Sequence, residues 1–243
     1  MLQSFFLPAR CLLCGARGQG RTLDICAACE ADLPRNARCC LRCADTLPEA
    51  PPELPLLPQP STLSAAICGR CTARPPHFDR AVVPYRYAYP IDRLVQRLKY
   101  EGALPFGRVL GMLLAAAVRS RAREDQPQAL LPVPLHIARH RERGFNQACE
   151  LARPVSRLLR IPVDDRLCRR MRNTADQTGL LAGQRRKNLR RAFAVVRPSP
   201  WIHVALIDDV VTTGSTTGEL ARALKRAGAE RVEVWAVARA TRQ

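Results

Sequence analysis

Four C-x-x-C pairs fall within the first 71 residues: "CLLC" at 11–14, "CAAC" at 26–29, "CLRC" at 40–43 and "CGRC" at 68–71. No other feature restricts the folding of this chain as strongly. Two intervening residues let both thiolates of a pair turn toward one ion while backbone amides of the knuckle hydrogen-bond the sulfurs. Two such knuckles complete a tetrahedral S4 shell, the preferred surroundings of structural zinc. Pairing neighbours in sequence gives one site from Cys11, Cys14, Cys26 and Cys29 and a second from Cys40, Cys43, Cys68 and Cys71. An interleaved arrangement would use the same eight ligands. Cys39 stands one residue out of phase with its knuckle and is expected to be a spectator.

This pattern resembles a double zinc ribbon. With sulfur in every position, neither shell leaves a place open for a reacting water, so a structural role is expected for both zinc ions. The segment between Cys43 and Cys68 holds six prolines, which suit neither a helix nor an inner strand, and is read as an extended excursion. Residues 1–71 have few large apolar side chains, so metal is expected to supply much of their folding energy. The last two of the eleven cysteines, Cys149 and Cys168, read as buried small hydrophobes.

No run approaches the roughly 20 apolar residues that span a bilayer. The opening "MLQSFFLPARC" lacks a basic n-region, and its apolar stretch is too short for a secretory signal. A cytoplasmic protein is expected, and a reducing compartment favours metal over disulfides for the cysteines. At 243 residues the chain can bury one sizeable core plus a small module, divided here as 1–71 and 72–243. The net charge of +18 is unevenly placed, because residues 72–243 carry 32 basic against 15 acidic residues. Such a field favours nucleic acid or small polyphosphates.

The second informative stretch is "VALIDDVVTTGSTT", residues 204–217. Residues 201–207 read as a buried strand, 215–227 show helical spacing at Leu220, Ala221, Leu224 and Ala227, Gly228 stands where a C-cap belongs, and 231–238 read as the next strand. This βαβ unit predicts a parallel sheet with ligands at the carboxyl ends of its strands. Asp208 and Asp209 accept hydrogen bonds only, which suits the hydroxyls of a ribose. Thr212, Thr213, Gly214, Ser215 and Thr216 offer backbone N–H groups and hydroxyls at a helix N-terminus, which suits a phosphate monoester. The lysine of a Walker A loop is missing, which disfavours a nucleotide triphosphatase.

The same stretch resembles the PRPP-binding motif of type I phosphoribosyltransferases, in which the acidic pair holds the ribose hydroxyls and the threonine-rich loop the 5-phosphate. The 6-oxopurine members carry an aspartate where this chain has Thr212, which disfavours purine salvage of that type. "RLVQRLKYEG" (93–102), "RGFNQ" (143–147) and the "IDDVVTTGSTT" loop, behind paired cysteine knuckles, look like the ComF family, named for competence for DNA transformation; the likeness covers essentially the whole chain. It implies a parallel α/β sheet flanked by helices, with PRPP bound together with Mg2+. A pyrophosphate loop is then expected at 133–146 and a hood loop near 170–190. Lys99 and Arg143 become candidates for the pyrophosphate charge shell, and Gln177 and Asn188 for ordering the hood. His136 and His140 read as loop histidines, with a proton relay as the alternative, and no residue stands out as a general base.

Two functions remain open at this level. One is a phosphoribosyl transfer to an unidentified acceptor. The other is a binding protein in DNA uptake, contacting single-stranded DNA and other competence or DNA-processing proteins, with the PRPP pocket kept as a sensor or relic. An aromatic content of 5% argues against an extensive base-stacking platform, so DNA contact would be mainly electrostatic.

Overall fold

The computed structural model describes residues 10–17, 23–48, 66–119, 125–172 and 192–240. Gln177, Asn188 and nearly all of the expected hood loop lie outside the described residues.

Short helices α1 (Ala27–Ala31) and α2 (Gly69–Ala73) belong to the cysteine knuckles. Then follow β1 (Arg80–Val82), β2 (Tyr85–Arg86), α3 (Ile91–Glu101), α4 (Leu104–Val118) and β3 (Ala129–Pro132). The remaining elements are α5 (Ile137–Arg143), α6 (Gln147–Leu159), the antiparallel pair β4 (Cys168–Arg170) and β5 (Phe193–Val195), β6 (His203–Val211), α7 (Ser215–Arg226) and β7 (Arg231–Arg239). The sheet runs β1-β7-β6-β3, with β2 continuing the β1 edge along β7, and every pairing in it is parallel.

Alternation along the strands divides the interior in two. Ala205 and Ile207 of β6 and Trp235 and Val237 of β7 face one cluster with Leu94, Leu98, Leu110, Leu114 and Leu151 from α3, α4 and α6. Val204, Leu206, Val232 and Val234 face the other, with Leu220 and Leu224 of α7 and Phe193 of β5. Both faces are covered, which is why β6 and β7 read as nearly unbroken apolar runs. The approach of α4 to α6 depends on Gly111, where a Cβ would stand 2.7 Å from the carbonyl oxygen of Leu151.

The cysteine module is built into this core. Cys11, Ile25 and Leu33 join the first cluster, whereas Cys40, Cys43 and Cys71 join the second. Between them, residues 34–36 pass the sheet edge as a short antiparallel rung. Arg35 bridges Tyr85, the N–H of Asn36 donates to the carbonyl of Pro84 at 2.8 Å, and the N–H of Arg86 donates to that of Pro34 at 2.8 Å. The rung occupies an edge that would otherwise invite pairing with another chain. Asn36 Nδ2 donates to the carbonyls of Ala44 and Val83, which ties the second knuckle to the edge.

Three elements depart from the sequence reading. β6 runs to Val211 rather than stopping at 207, because its ladder with β7 continues through Asp208–Ala236 and Val211–Arg239. The expected loop at 133–146 contains the helix α5. Cys168 is buried as expected, but Cys149, near the start of α6, is only half-buried.

Candidate functional site

Asp208 and Asp209 lie near the carboxyl end of β6, one on each face of the strand. Asp209 is buried at 3% exposure, and Asp208 is half-buried. Each carboxylate accepts the N–H of the next residue, Asp209 and Val210, at 2.9 Å. Lys99 Nζ, from the last turn of α3, stands 2.5 Å from Asp209 Oδ2. Two adjacent acids and one cation cannot all hold full charge cheaply in such surroundings. Burial, and then the neighbouring Asp209, pushes the Asp208 carboxyl well above the usual carboxylate range. Burial works against the charge on Lys99, but the two aspartates outweigh it and raise its pKa. Lys99, a candidate for the pyrophosphate shell, therefore sits on the carboxylate pair.

Past Val211 the chain turns through Thr212 and Thr213 into Gly214, whose φ of +72° favours glycine over any residue with a Cβ. Gly214 occupies the N-cap of α7 and has no side chain of its own to cap the helix. Thr213 Oγ1 accepts the N–H of Ser215 at 3.2 Å and shares a hydrogen bond with Ser215 Oγ at 2.7 Å. Thr217 Oγ1 donates to the carbonyl of Gly214 at 3.2 Å. The loop is thus a tight hydroxyl-bearing turn that delivers its backbone to the positive end of a three-turn helix.

The loop after β3 lies beside it, since Val133 N–H donates to the carbonyl of Ile207 at 2.9 Å. Asn146 caps α6 by accepting the N–H of Ala148 at 3.0 Å, and its Nδ2 donates to the carbonyl of Val133 at 3.1 Å. This double role explains the asparagine in "RGFNQ". Arg143 lies over the ring of Tyr100 at 5.5 Å and donates to Gln147 Oε1 at 3.3 Å. Since Tyr100 follows Lys99, these two candidates stand on adjoining elements at the same end of the sheet. His136 caps α5 by accepting the N–H of Ala138 at 3.3 Å, and His140 is exposed. Two residues that the sequence reading missed complete the neighbourhood. Arg239, at the end of β7, bonds the carbonyls of Val211 and Thr212, and its Nη2 stands 3.1 Å from Asp45 Oδ1.

The eight cysteines gather into the two consecutive tetrads, with the four sulfurs of each within 4.8 Å of one another. Interleaving does not occur, and Cys39 stays outside both sets. Zinc–sulfur bonds of about 2.3 Å imply tetrahedral edges of about 3.8 Å. The Cys14–Cys26 and Cys43–Cys68 sulfurs are 3.8 and 3.7 Å apart. Burial raises the thiols of Cys11 and Cys40, but backbone N–H donors outweigh it and bring them down to about 6 and about 7. Burial and the neighbouring thiols push Cys29 and Cys71 up. Each tetrad therefore has partners that ionise readily and partners that need a cation at the centre, which fits structural zinc.

A family model described as a double zinc ribbon domain matches residues 2–72. Competence protein F of Haemophilus influenzae is 34% identical over 241 residues, spanning 97% of this chain and 99% of that protein. The DNA utilization protein YhgH of Salmonella typhimurium and that of Escherichia coli K12 are each 35% identical over 236 residues, spanning 96% of this chain and 98% of theirs. No helix among the described residues is long and apolar enough to cross a membrane. A likeness of that extent, carried from the first knuckle to the last strand, makes this chain a member of the ComF family.

Proposed function

We propose that the chain binds PRPP with Mg2+ at the end of β6 and works in the uptake or utilisation of DNA. The observation that carries the pocket is the juxtaposition of a carboxylate doublet with the start of α7, whose N-cap is a glycine. A pentose with two free hydroxyls and a 5-phosphate matches both halves. Asp208 and Asp209 accept from the ribose hydroxyls, Thr212 to Thr216 receive the phosphate, and Arg143 stands on the loop side where pyrophosphate would leave. Mg2+ bound with PRPP offsets part of the pyrophosphate charge. The chemistry such a pocket supports is transfer of the phosphoribosyl group to an acceptor, driven by electrostatic stabilisation of the oxocarbenium-like state and of the leaving group. The names of the relatives, competence protein F and DNA utilization protein, support the DNA half of the proposal.

Calorimetry tests the pocket through a proton. In the free protein burial and the neighbouring Asp209 raise the pKa of Asp208, whereas hydroxyl donors favour the ionised carboxylate. Binding therefore favours loss of the Asp208 proton, and affinity rises as pH passes through the raised pKa of that group. The expected result is a PRPP-dependent heat that varies with the ionisation enthalpy of the buffer. No heat with PRPP and Mg2+ at any pH would remove the reading.

A second, compatible reading is contact with single-stranded DNA, favoured by the 32 basic against 15 acidic residues of 72–243. Fluorescence anisotropy with a labelled oligonucleotide should show log affinity falling linearly with log salt, by about 0.7 per phosphate neutralised. Asparagine at 208 and 209 should leave that line unchanged, and the absence of binding at low salt would exclude this reading.

A further inference from the structure

Arg239 ends β7 after the apolar run 234–238, and the residue is 1% exposed. A guanidinium stays charged at any ordinary pH, so burying it is costly unless its donors meet acceptors. Here Nη1 donates to the carbonyl of Val211 at 3.0 Å and also to that of Thr212. Nη2 stands 3.1 Å from Asp45 Oδ1, an ion pair by distance, and neither Nη2 nor Nε has a hydrogen-bond partner of good geometry among the described residues. The side chain thus links the turn between β6 and α7 to Asp45.

Asp45 belongs to the cysteine module, two residues past Cys43. Its backbone is pinned as well, since its carbonyl accepts the N–H of Cys40 at 2.8 Å. Arg70 Nη2 reaches both Asp45 Oδ2 at 3.3 Å and Cys43 Sγ at 3.5 Å. One continuous set of polar contacts therefore runs from the second tetrad through Asp45 and Arg239 to the backbone of residues 211 and 212.

Its consequence follows from peptide geometry. In a trans peptide the carbonyl and the N–H point in opposite directions. Holding the carbonyls of Val211 and Thr212 against Arg239 turns the N–H groups of Thr212 and Thr213 away from it. Amides turned together in this way suit an anion. We infer that Arg239 is a positioning residue for the phosphate end of the pocket and that Asp45 fixes its orientation, so that the second cysteine tetrad is part of the phosphate site. This inference rests on the PRPP reading.

The test separates the two halves of PRPP by using ribose 5-phosphate and inorganic pyrophosphate as separate probes in calorimetry on the full zinc-loaded chain. Asp45→Asn keeps the shape of a partly exposed side chain and removes its charge. It should weaken ribose 5-phosphate roughly tenfold, a usual size for coupling between neighbouring sites, with pyrophosphate affinity and zinc content unchanged. Asp45→Glu should recover part of the loss, and Arg239→Lys, which cannot hold two carbonyls and a carboxylate together, should show the same selective defect. Equal ribose 5-phosphate affinity in wild type and Asp45→Asn overturns the inference and leaves the PRPP reading standing. A parallel loss of both probes, or of zinc, overturns it in favour of a general structural role. Failure of the wild type to bind ribose 5-phosphate overturns both.

Discussion

Replacing Asp208 and Asp209 together by asparagine should abolish PRPP binding in a chain that still folds. Each carboxylate accepts from a hydroxyl in the proposed complex, and a hydrogen bond to a charged group contributes about 1.5–3 kcal/mol. Two such bonds amount to a loss of at least roughly a hundredfold in affinity. Asparagine keeps the shape but turns one acceptor into a donor facing another donor, which adds to the loss. Calorimetry with PRPP and Mg2+ gives the answer directly, and equal binding by wild type and the double variant would show that the doublet has another purpose.

The single variants should differ in stability, and the difference follows from Lys99. Asp208 is the acid whose pKa is raised, so its protonated form is favoured in the folded state. A group of that kind costs stability as pH rises from the ordinary carboxylate range toward the folded-state value. Asp208→Asn removes the cost, and at neutral pH the melting temperature should stay level or rise slightly. Asp209→Asn instead leaves Lys99 without its partner at 2.5 Å. Breaking a fully buried pair costs about 3–5 kcal/mol. Lys99 keeps 21% of its side chain exposed, so a loss discounted below that range, to about 2–3 kcal/mol, is expected. Denaturant titration of the two variants at pH 7 and pH 5 would distinguish them. A larger loss in Asp208→Asn would reverse the assignment of charge within the pair.

The doublet and its loop were legible in the sequence because the relevant constraints are local. Strand, turn, glycine and amphipathic helix follow one another within residues 203–226, and each has its own pattern. The tetrads were legible for the same reason, since two residues between cysteines already set the knuckle. The end of β6 was not, because what keeps Asp208 to Val211 extended is the ladder to β7, not their own preference. Nor was α5, whose "IARHRER" has no buried residue and so no apolar period to detect. The Asp45–Arg239 contact joins positions far apart in the chain. Its one trace is an arginine closing an apolar run, which on its own suggests only a strand end. The embedding of the cysteine module also escaped notice. Residues 1–71 look poor in core-forming side chains until the thiols themselves are counted as core, as Cys11, Cys40, Cys43 and Cys71 must be.

That burial makes the two tetrads unequal. Cys40, Cys43 and Cys71 are 0%, 4% and 2% exposed and pack with Phe78, Ala81, Leu131 and Leu206. In the first tetrad Cys11 alone is buried, and Cys14 is exposed. Structural zinc contributes on the order of 10 kcal/mol to the fold it closes, which is comparable to the whole stability of a domain, about 5–15 kcal/mol. Losing the second zinc would also leave thiols, and in Cys71→Ser a hydroxyl, without partners inside the main core. Cys71→Ser should therefore abolish the cooperative unfolding transition and yield little soluble protein. Cys14→Ser lies at the margin and should lose one zinc while the sheet still unfolds cooperatively. Elemental analysis should then find about two zinc ions in the wild type and about one in Cys14→Ser, read beside thermal unfolding. If Cys71→Ser retains a wild-type melting curve, the second tetrad is not what closes this side of the core. The route from it through Asp45 to the phosphate loop would then lose its anchor.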